Sequence, residues 1–137
     1  MRTPHHRGFT LLELLVVMVI IGLLAGYVAP RYFAQVGKSE VKAARAQIDA
    51  FEKALEAYRL DTGNYPASEH GLEALVKNVA VEPKWQGPYL KKALPPDPWD
   101  RPYLYKQPGE HGDYDILSTG RDGKPGGRAE NADITNW

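Results

Sequence analysis

Cysteine is absent from this chain of 137 residues, which excludes disulfides, thiol nucleophiles and zinc sites built on thiolates. Net charge is absent too: 17 basic and 17 acidic side chains cancel, leaving no global basic field for nucleic acid. Histidine is scarce. His5 and His6 sit at the extreme N-terminus, and His70 and His111 are isolated, so no histidine metal site is expected. No glycine loop precedes a lysine–serine or lysine–threonine pair, which removes the phosphate-cradling motif. Ser68, His70 and the nearby acids form no recognisable nucleophile–base–acid set. The expectation is a non-enzyme of one small domain plus an appendage.

What is present is unevenly placed. Residues 1–30 carry +1, 31–60 carry +2, 61–96 carry 0 and 97–137 carry −3. Phe9 to Ala29 is a run of 21 residues in which only Thr10, Glu13 and Tyr27 are at all polar, beside two glycines. As a helix at about 1.5 Å per residue it covers a hydrocarbon core of roughly 30 Å. Arg2, His5, His6 and Arg7 make a short basic head that favours the cytoplasmic side, and the rest would face outward. Arg31 follows at once, so charge alone does not fix the orientation.

Two processing routes compete for such a segment. A conventional secretory signal would be cut after its apolar region at a small-x-small site, but the candidates near Ala25, Gly26 and Ala29 are poor. A cut after Ala29 puts Pro30 at the scissile bond. The other route cuts at Gly8–Phe9 and keeps the helix. Glu13 decides between them. A carboxylate in an apolar run costs roughly 2.5–3.5 kcal/mol at mid-bilayer and points to function. The plain alternative is that Glu13 lies one turn from the interface and snorkels. A new α-amino group at Phe9 would stand four positions from Glu13, which itself sits in the first helical turn, where the macrodipole favours an anion. Between chains staggered along their axes, Glu13 could neutralise the neighbour's amine and so set a direction and a register.

The run Arg7-Gly8-Phe9-Thr10-Leu11-Leu12-Glu13-Leu14 resembles the class III signal of type IV pilins and type II secretion pseudopilins. The resemblance implies cleavage by a prepilin peptidase after Gly8, N-methylation of Phe9, and a role for Glu13 in recruiting or registering the next subunit. Residues 1–8 are then a leader, 9–29 the transmembrane and assembly half of a helix, and 30–137 a periplasmic domain. Gly22, Ala25, Gly26 and Ala29 permit close helix contact, or simply reflect helix tolerance in lipid. Gly26 and Pro30 weaken the hydrogen-bond ladder near the membrane exit.

Beyond Pro30 the periodicity is amphipathic. Val41, Ala44, Ile48, Phe51, Leu55 and Tyr58 are spaced 3, 4, 3, 4, 3, one helical face, with charged residues on the other. Asp49 stands four before Lys53, the favourable order for a surface pair. The rod is expected from Phe9 to about Leu60, ended by Gly63 as C-cap with Asn64 and Pro66 behind it. Ser68 is expected to cap a short helix through about Asn78, with Leu72, Leu75 and Val76 inward. Residues 83–102, rich in proline and tryptophan, read as ordered loop. Residues 102–107 and 113–118 read as an antiparallel hairpin. The expected class is α+β: a type IV pilin-like long N-terminal helix packed on a small antiparallel sheet.

A head this small, without disulfides, wants a staple. The run 118–134 is rich in glycine and side-chain oxygen, although Asp-Gly and Gly-Gly are in the first instance turn residues. Its spacing is not that of an EF-hand. Tyr65-Pro66, Gly71-Leu72, Asp97-Pro98-Trp99, Pro102-Tyr103, Asp122-Gly123, Gly126-Gly127, Asp133-Ile134 and Asn136-Trp137 are similar to the major pseudopilin family of type II secretion. That likeness implies a calcium-binding C-terminal loop: Asp122 and Asp133 giving side-chain oxygens, Thr119 a backbone carbonyl, and Asn131 in an oxygen-bearing position where members often have aspartate. Arg121 stands where a small residue is usual, and its charge beside Asp122 is expected to weaken affinity.

The function implied is a structural subunit that homopolymerises into a periplasmic pseudopilus, supporting export of folded proteins. The partners implied are membrane lipid before assembly, the prepilin peptidase, the inner-membrane assembly platform and minor pseudopilins. A type IV pilin of a surface fibre for adhesion or motility is the nearest alternative, though many such pilins close a C-terminal disulfide that this chain cannot form. A secreted soluble enzyme or binding module is the alternative of another class.

Overall fold

The computed structural model describes residues 8–137. The elements run α1 (Leu11–Thr62), a 3-10 turn (Gly71–Leu75), β1 (Leu104–Lys106), β2 (Asp115–Ser118), a second 3-10 turn (Ala129–Asn131) and β3 (Ile134–Thr135). The fold is α+β, and the described chain divides into two compact units between Val36 and Gly37.

In the first unit α1 is helical without interruption through Gly26 and Pro30. Pro30 lacks an N–H, so the carbonyl of Gly26, one turn back, has no helical donor, and the weak point sits where the sequence places it. Its apolar side chains are bare, Leu11 88% and Leu23 71% exposed, and so is Phe9 ahead of it, at 85%. The helix is long and apolar enough to cross a membrane. Near its end the Arg31 guanidinium lies 4.5 Å above the Tyr27 ring.

The second unit holds the core. Ala44, Ile48, Phe51, Leu55 and Tyr58 are buried and Val41 is half-buried, so the 3-4 stripe is the packed face; Ala54 joins it. Gly63 ends α1 with φ +89°, and its N–H donates to the Arg59 carbonyl at 2.7 Å, as a left-handed C-cap should. The Asp49–Lys53 pair does not close among the described residues; an i,i+4 pair that does close is Glu73–Lys77, at 3.2 Å.

The short helix expected from Ser68 to Asn78 shrinks to one 3-10 turn. Ser68 does not cap it: its hydroxyl donates to the Gln107 carbonyl at 2.9 Å and accepts the Gln107 N–H at 2.7 Å, serving the end of β1 instead. Leu72, Ala74 and Leu75 are buried, while Val76 is only half-buried. The loop that follows is pinned by its aromatics. Trp85 Nε1 donates to the Ala74 carbonyl at 2.8 Å, and the Tyr89 hydroxyl donates to Asp61 at 2.8 Å.

The hairpin forms as expected, with Leu104 opposite Leu117 and Lys106 opposite Asp115. A third strand completes the sheet in the order β1-β2-β3, pairing Ser118 with Ile134. Sequence reading places Ile134 within the loop; burial of its side chain against the core claims it for the sheet. Phe51 meets Tyr103 edge to face at 5.0 Å, joining α1 to the residue that precedes β1.

Candidate functional site

Two places carry the predicted site residues, one in each unit. At the N-terminal one, Gly8 and Phe9 precede the helix and are exposed, as a protease substrate requires. Met1 to Arg7, including the basic head, lies outside the described residues. Glu13 is held by Thr10: its Oε2 accepts the Thr10 backbone N–H at 2.8 Å and the Thr10 hydroxyl at 3.0 Å. Thr10 Oγ1 in turn accepts the Glu13 N–H at 3.1 Å. This is a capping box, with Thr10 as N-cap and Glu13 as the third helical residue. It satisfies two orphan donors of the helix start and gives the carboxylate a partner within its own chain. Glu13 Oε1 takes no hydrogen bond among the described residues, so half of the carboxylate remains available to a second donor. Sequence reading misses Thr10, although Thr-x-x-Glu ahead of an apolar run is the signal for such a cap.

At the C-terminal site the chain curls through four left-handed glycines, Gly120, Gly123, Gly126 and Gly127. The curl brings backbone oxygens inward: a Cβ on Gly120 would sit 2.6 Å from the Ala132 carbonyl, and one on Gly127 would strike the Asn131 carbonyl. Asp133 reaches into this curl. Its Oδ2 accepts the Gly126 N–H at 2.8 Å, while Oδ1 is buried with no hydrogen-bond partner among the described residues. Asp122 is exposed and its Oδ1 accepts the Lys124 N–H at 3.1 Å, a local turn bond. Asn131 has an exposed side chain, and its carbonyl is the group that the glycines approach. Thr119 is half-buried beside the end of β2. Arg121 does not stand free against Asp122. It pairs with Glu130 at 2.9 Å, and its N–H donates to the Glu130 carbonyl at 3.2 Å.

A buried anionic oxygen without a donor is costly, and a cation satisfies it. The oxygens that the glycine curl turns inward are the backbone carbonyls of Asn131 and Ala132, hard donors of the kind calcium takes in sets of six to eight, whereas the Asp122 and Asn131 side chains are exposed. The acids are few, however. Among the described residues no three acidic or histidine side chains converge as a metal cluster. The loop thus fits a carbonyl-rich calcium shell led by Asp133 and does not fit zinc or another ion needing several side-chain ligands.

The loop is anchored by a turn that sequence reading uses only as a resemblance. Asp97 is 3% exposed, and its Oδ1 accepts the N–H groups of Trp99 at 3.0 Å and Arg101 at 2.8 Å. Its Oδ2 accepts the Ser118 hydroxyl at 2.6 Å, at the end of β2. Trp99 Nε1 donates to Glu40 on α1 at 3.1 Å. Aspartate before proline initiates turns, and that signal was readable; the Ser118 partner was not.

Comparison with known proteins matches two family descriptions. Residues 31–137 match "Type II secretion system (T2SS), protein G", and residues 3–29 match "Prokaryotic N-terminal methylation motif". The type II secretion system core protein G of Pseudomonas aeruginosa is 45% identical, over 100% of this chain and 99% of that protein. The core protein G of Vibrio cholerae is 45% identical over 95% of this chain and 90% of that one. A crystal structure of the major pseudopilin from the type 2 secretion system of enterohaemorrhagic Escherichia coli aligns with a TM-score of 0.63 at 38% identity. That alignment covers 77% of this chain and 92% of the other. The surface-fibre alternative is not favoured by these relatives. With a family match over residues 31–137 and a methylation motif over residues 3–29, the chain belongs to the type II secretion system protein G family.

Proposed function

We infer that this chain is a structural subunit of a type II secretion pseudopilus, stored in the bacterial inner membrane and polymerising with copies of itself to support export of folded proteins. One observation carries this: a bare apolar stretch of α1, residues 11–36, whose one carboxylate, Glu13, closes the capping box with Thr10 in the first turn. Exposed side chains of this kind need lipid or neighbouring helices. A subunit leaving the bilayer exchanges the first for the second. The faces of Gly22 and Gly26, where an added Cβ would meet nothing within 4 Å, are open to a close neighbour. The free oxygen of Glu13 accepts the Phe9 amine of the adjacent subunit, which sets the stagger between chains. The prepilin peptidase cuts at Gly8–Phe9 and Phe9 is methylated; the inner-membrane platform and minor pseudopilins receive the subunit, with its head in the periplasm.

In the head, calcium is the proposed cofactor of the C-terminal loop. Asp133 and Asp122 would hold it by carboxylate, Thr119 and the Asn131 region by amide or carbonyl oxygen. Bound there, the ion supplies a cross-link rather than a reaction. The buried Oδ1 of Asp133 supports the assignment. Mass spectrometry of the mature N-terminus tests the assembly reading: the expected species starts at a methylated Phe9. A chain starting near Tyr27 or Pro30 would instead make this a soluble secreted protein.

A further inference from the structure

We propose that Arg101 is a built-in cation of the C-terminal loop, a positioning residue whose guanidinium holds residues 118–123 folded when no metal is bound. Arg101 Nη1 donates to the Gly120 carbonyl, and Nη2 donates to the Arg121 carbonyl at 2.9 Å. Two parallel donors on two consecutive carbonyls use the rigid fork of the guanidinium, which a lysine cannot reproduce. The side chain is half-buried, and no carboxylate pairs with it among the described residues, so its charge is directed at backbone oxygen.

Two further features are built around this contact. Gly123 has φ +69°, and a Cβ there would lie 2.7 Å from the Arg101 Cζ and 2.8 Å from its Nε. The loop therefore passes flat beneath the guanidinium only because residue 123 is glycine. The backbone of Arg101 is fixed as well: its N–H donates to Asp97 Oδ1 at 2.8 Å, and its carbonyl accepts the Asp97 N–H at 2.7 Å. One turn thus grips the loop twice, through Asp97 on Ser118 and through Arg101 on the carbonyls of Gly120 and Arg121. A head without cysteine has here an internal cross-link made of hydrogen bonds.

The test is amide hydrogen exchange on the full chain in detergent micelles with excess chelator, where neither metal nor assembly contributes. The reporters are the N–H groups of Arg121, bonded to the Glu130 carbonyl, and Asp133, bonded to the Gly126 carbonyl. The wild type is expected to protect both. Arg101→Gln is expected to exchange them at least tenfold faster while amides of residues 44–58 keep their protection. Arg101→Lys should fall with Arg101→Gln rather than with the wild type, because the charge remains and the fork is lost. If Arg101→Gln fails to fold, Arg101→Met, which keeps the apolar stem and removes the guanidinium, provides the same reading. Wild-type exchange at the rate of unstructured chain in chelator would overturn the proposal, as would equal protection in Arg101→Gln and the wild type. Neither outcome depends on whether the chain polymerises.

Discussion

Replacing Asp97 with alanine should unfasten the sheet end and the C-terminal loop together. The carboxylate is 3% exposed and accepts three hydrogen bonds, from the N–H groups of Trp99 and Arg101 and from the Ser118 hydroxyl. Hydrogen bonds to a charged group are each worth about 1.5–3 kcal/mol, and the buried Ser118 hydroxyl and the two part-buried N–H groups would lose their acceptor. Since the three act as one unit, they do not add fully, and a loss of about 3–5 kcal/mol is expected. That is a large share of the roughly 5–15 kcal/mol that holds a domain folded. The unit from Gly37 to Trp137 has 101 residues. At about 4 °C per kcal/mol for a domain of this size, its melting point should fall by at least about 12 °C. Asp97→Asn keeps one carbonyl oxygen for the two N–H donors, and the Ser118 hydroxyl can reverse to accept. Its expected loss is smaller, about 1–2 kcal/mol. The assay is near-ultraviolet circular dichroism of the full chain in micelles, in chelator, where the packed aromatics report on the head and not on helix content. An Asp97→Ala protein melting within about 2 °C of wild type would refute the anchoring role.

Three further outcomes follow from the head. Tyr103 is 7% exposed and its hydroxyl has no partner among the described residues. Burial first, and then the charge of Asp97, push this phenol up to about 12. Tyr103→Phe should therefore raise the melting point by several degrees, removing a buried polar atom worth about 1 kcal/mol while keeping the contact with Phe51; a fall would show that the hydroxyl is bonded. At Asp115, burial works to raise the carboxyl, and donors from Glu110 and His111 outweigh it, so the net value lies below the usual one. With a lowered folded value, its contribution is fully present above about pH 4 and is lost as the pH falls through the folded value. Asp115→Asn should flatten the acid limb of a stability–pH curve, and an unchanged limb would remove Asp115 from the cause. For calcium, adding the ion at about 100 times its dissociation constant should stabilise by about 2.7 kcal/mol, a rise on the order of 10 °C that chelator reverses. A melting curve indifferent to both, with no bound metal by elemental analysis, would remove the site.

Much of the fold was legible because α1 declares itself twice, by apolar content from Phe9 to Ala29 and by the 3-4 stripe from Val41 to Tyr58. Gly63 marked its end, and the two β-forming runs, 102–107 and 113–118, marked the hairpin. Local signals failed where distant partners decide. Ser68 has the chemistry of a helix cap, yet the end of β1, 39 residues away, takes its hydroxyl. Ile134 and Thr135 are too short a run to show a strand period, and only pairing with Leu117 and Ser118 makes them one. At the C-terminal site the glycines gave the curl, but burial of Asp133 Oδ1 and the seating of Arg101 on two carbonyls depend on how three segments meet. Glu13 stood out in the sequence because acids are rare in oil; the partner that caps it was one turn away and went unread.

That cap makes a sharp test of the assembly claim possible. Glutamine at position 13 can still complete the capping box with Thr10, because its amide oxygen accepts the same two hydrogen bonds, but it carries no charge to meet a neighbour's amine. The measurement is the yield of cross-linked multimers from cells expressing Glu13→Gln beside Glu13→Ala and wild type. The account predicts that both variants enter the membrane and neither forms multimers above background. Wild-type multimer levels from Glu13→Gln would contradict it, leaving Glu13 as a helix cap and nothing more.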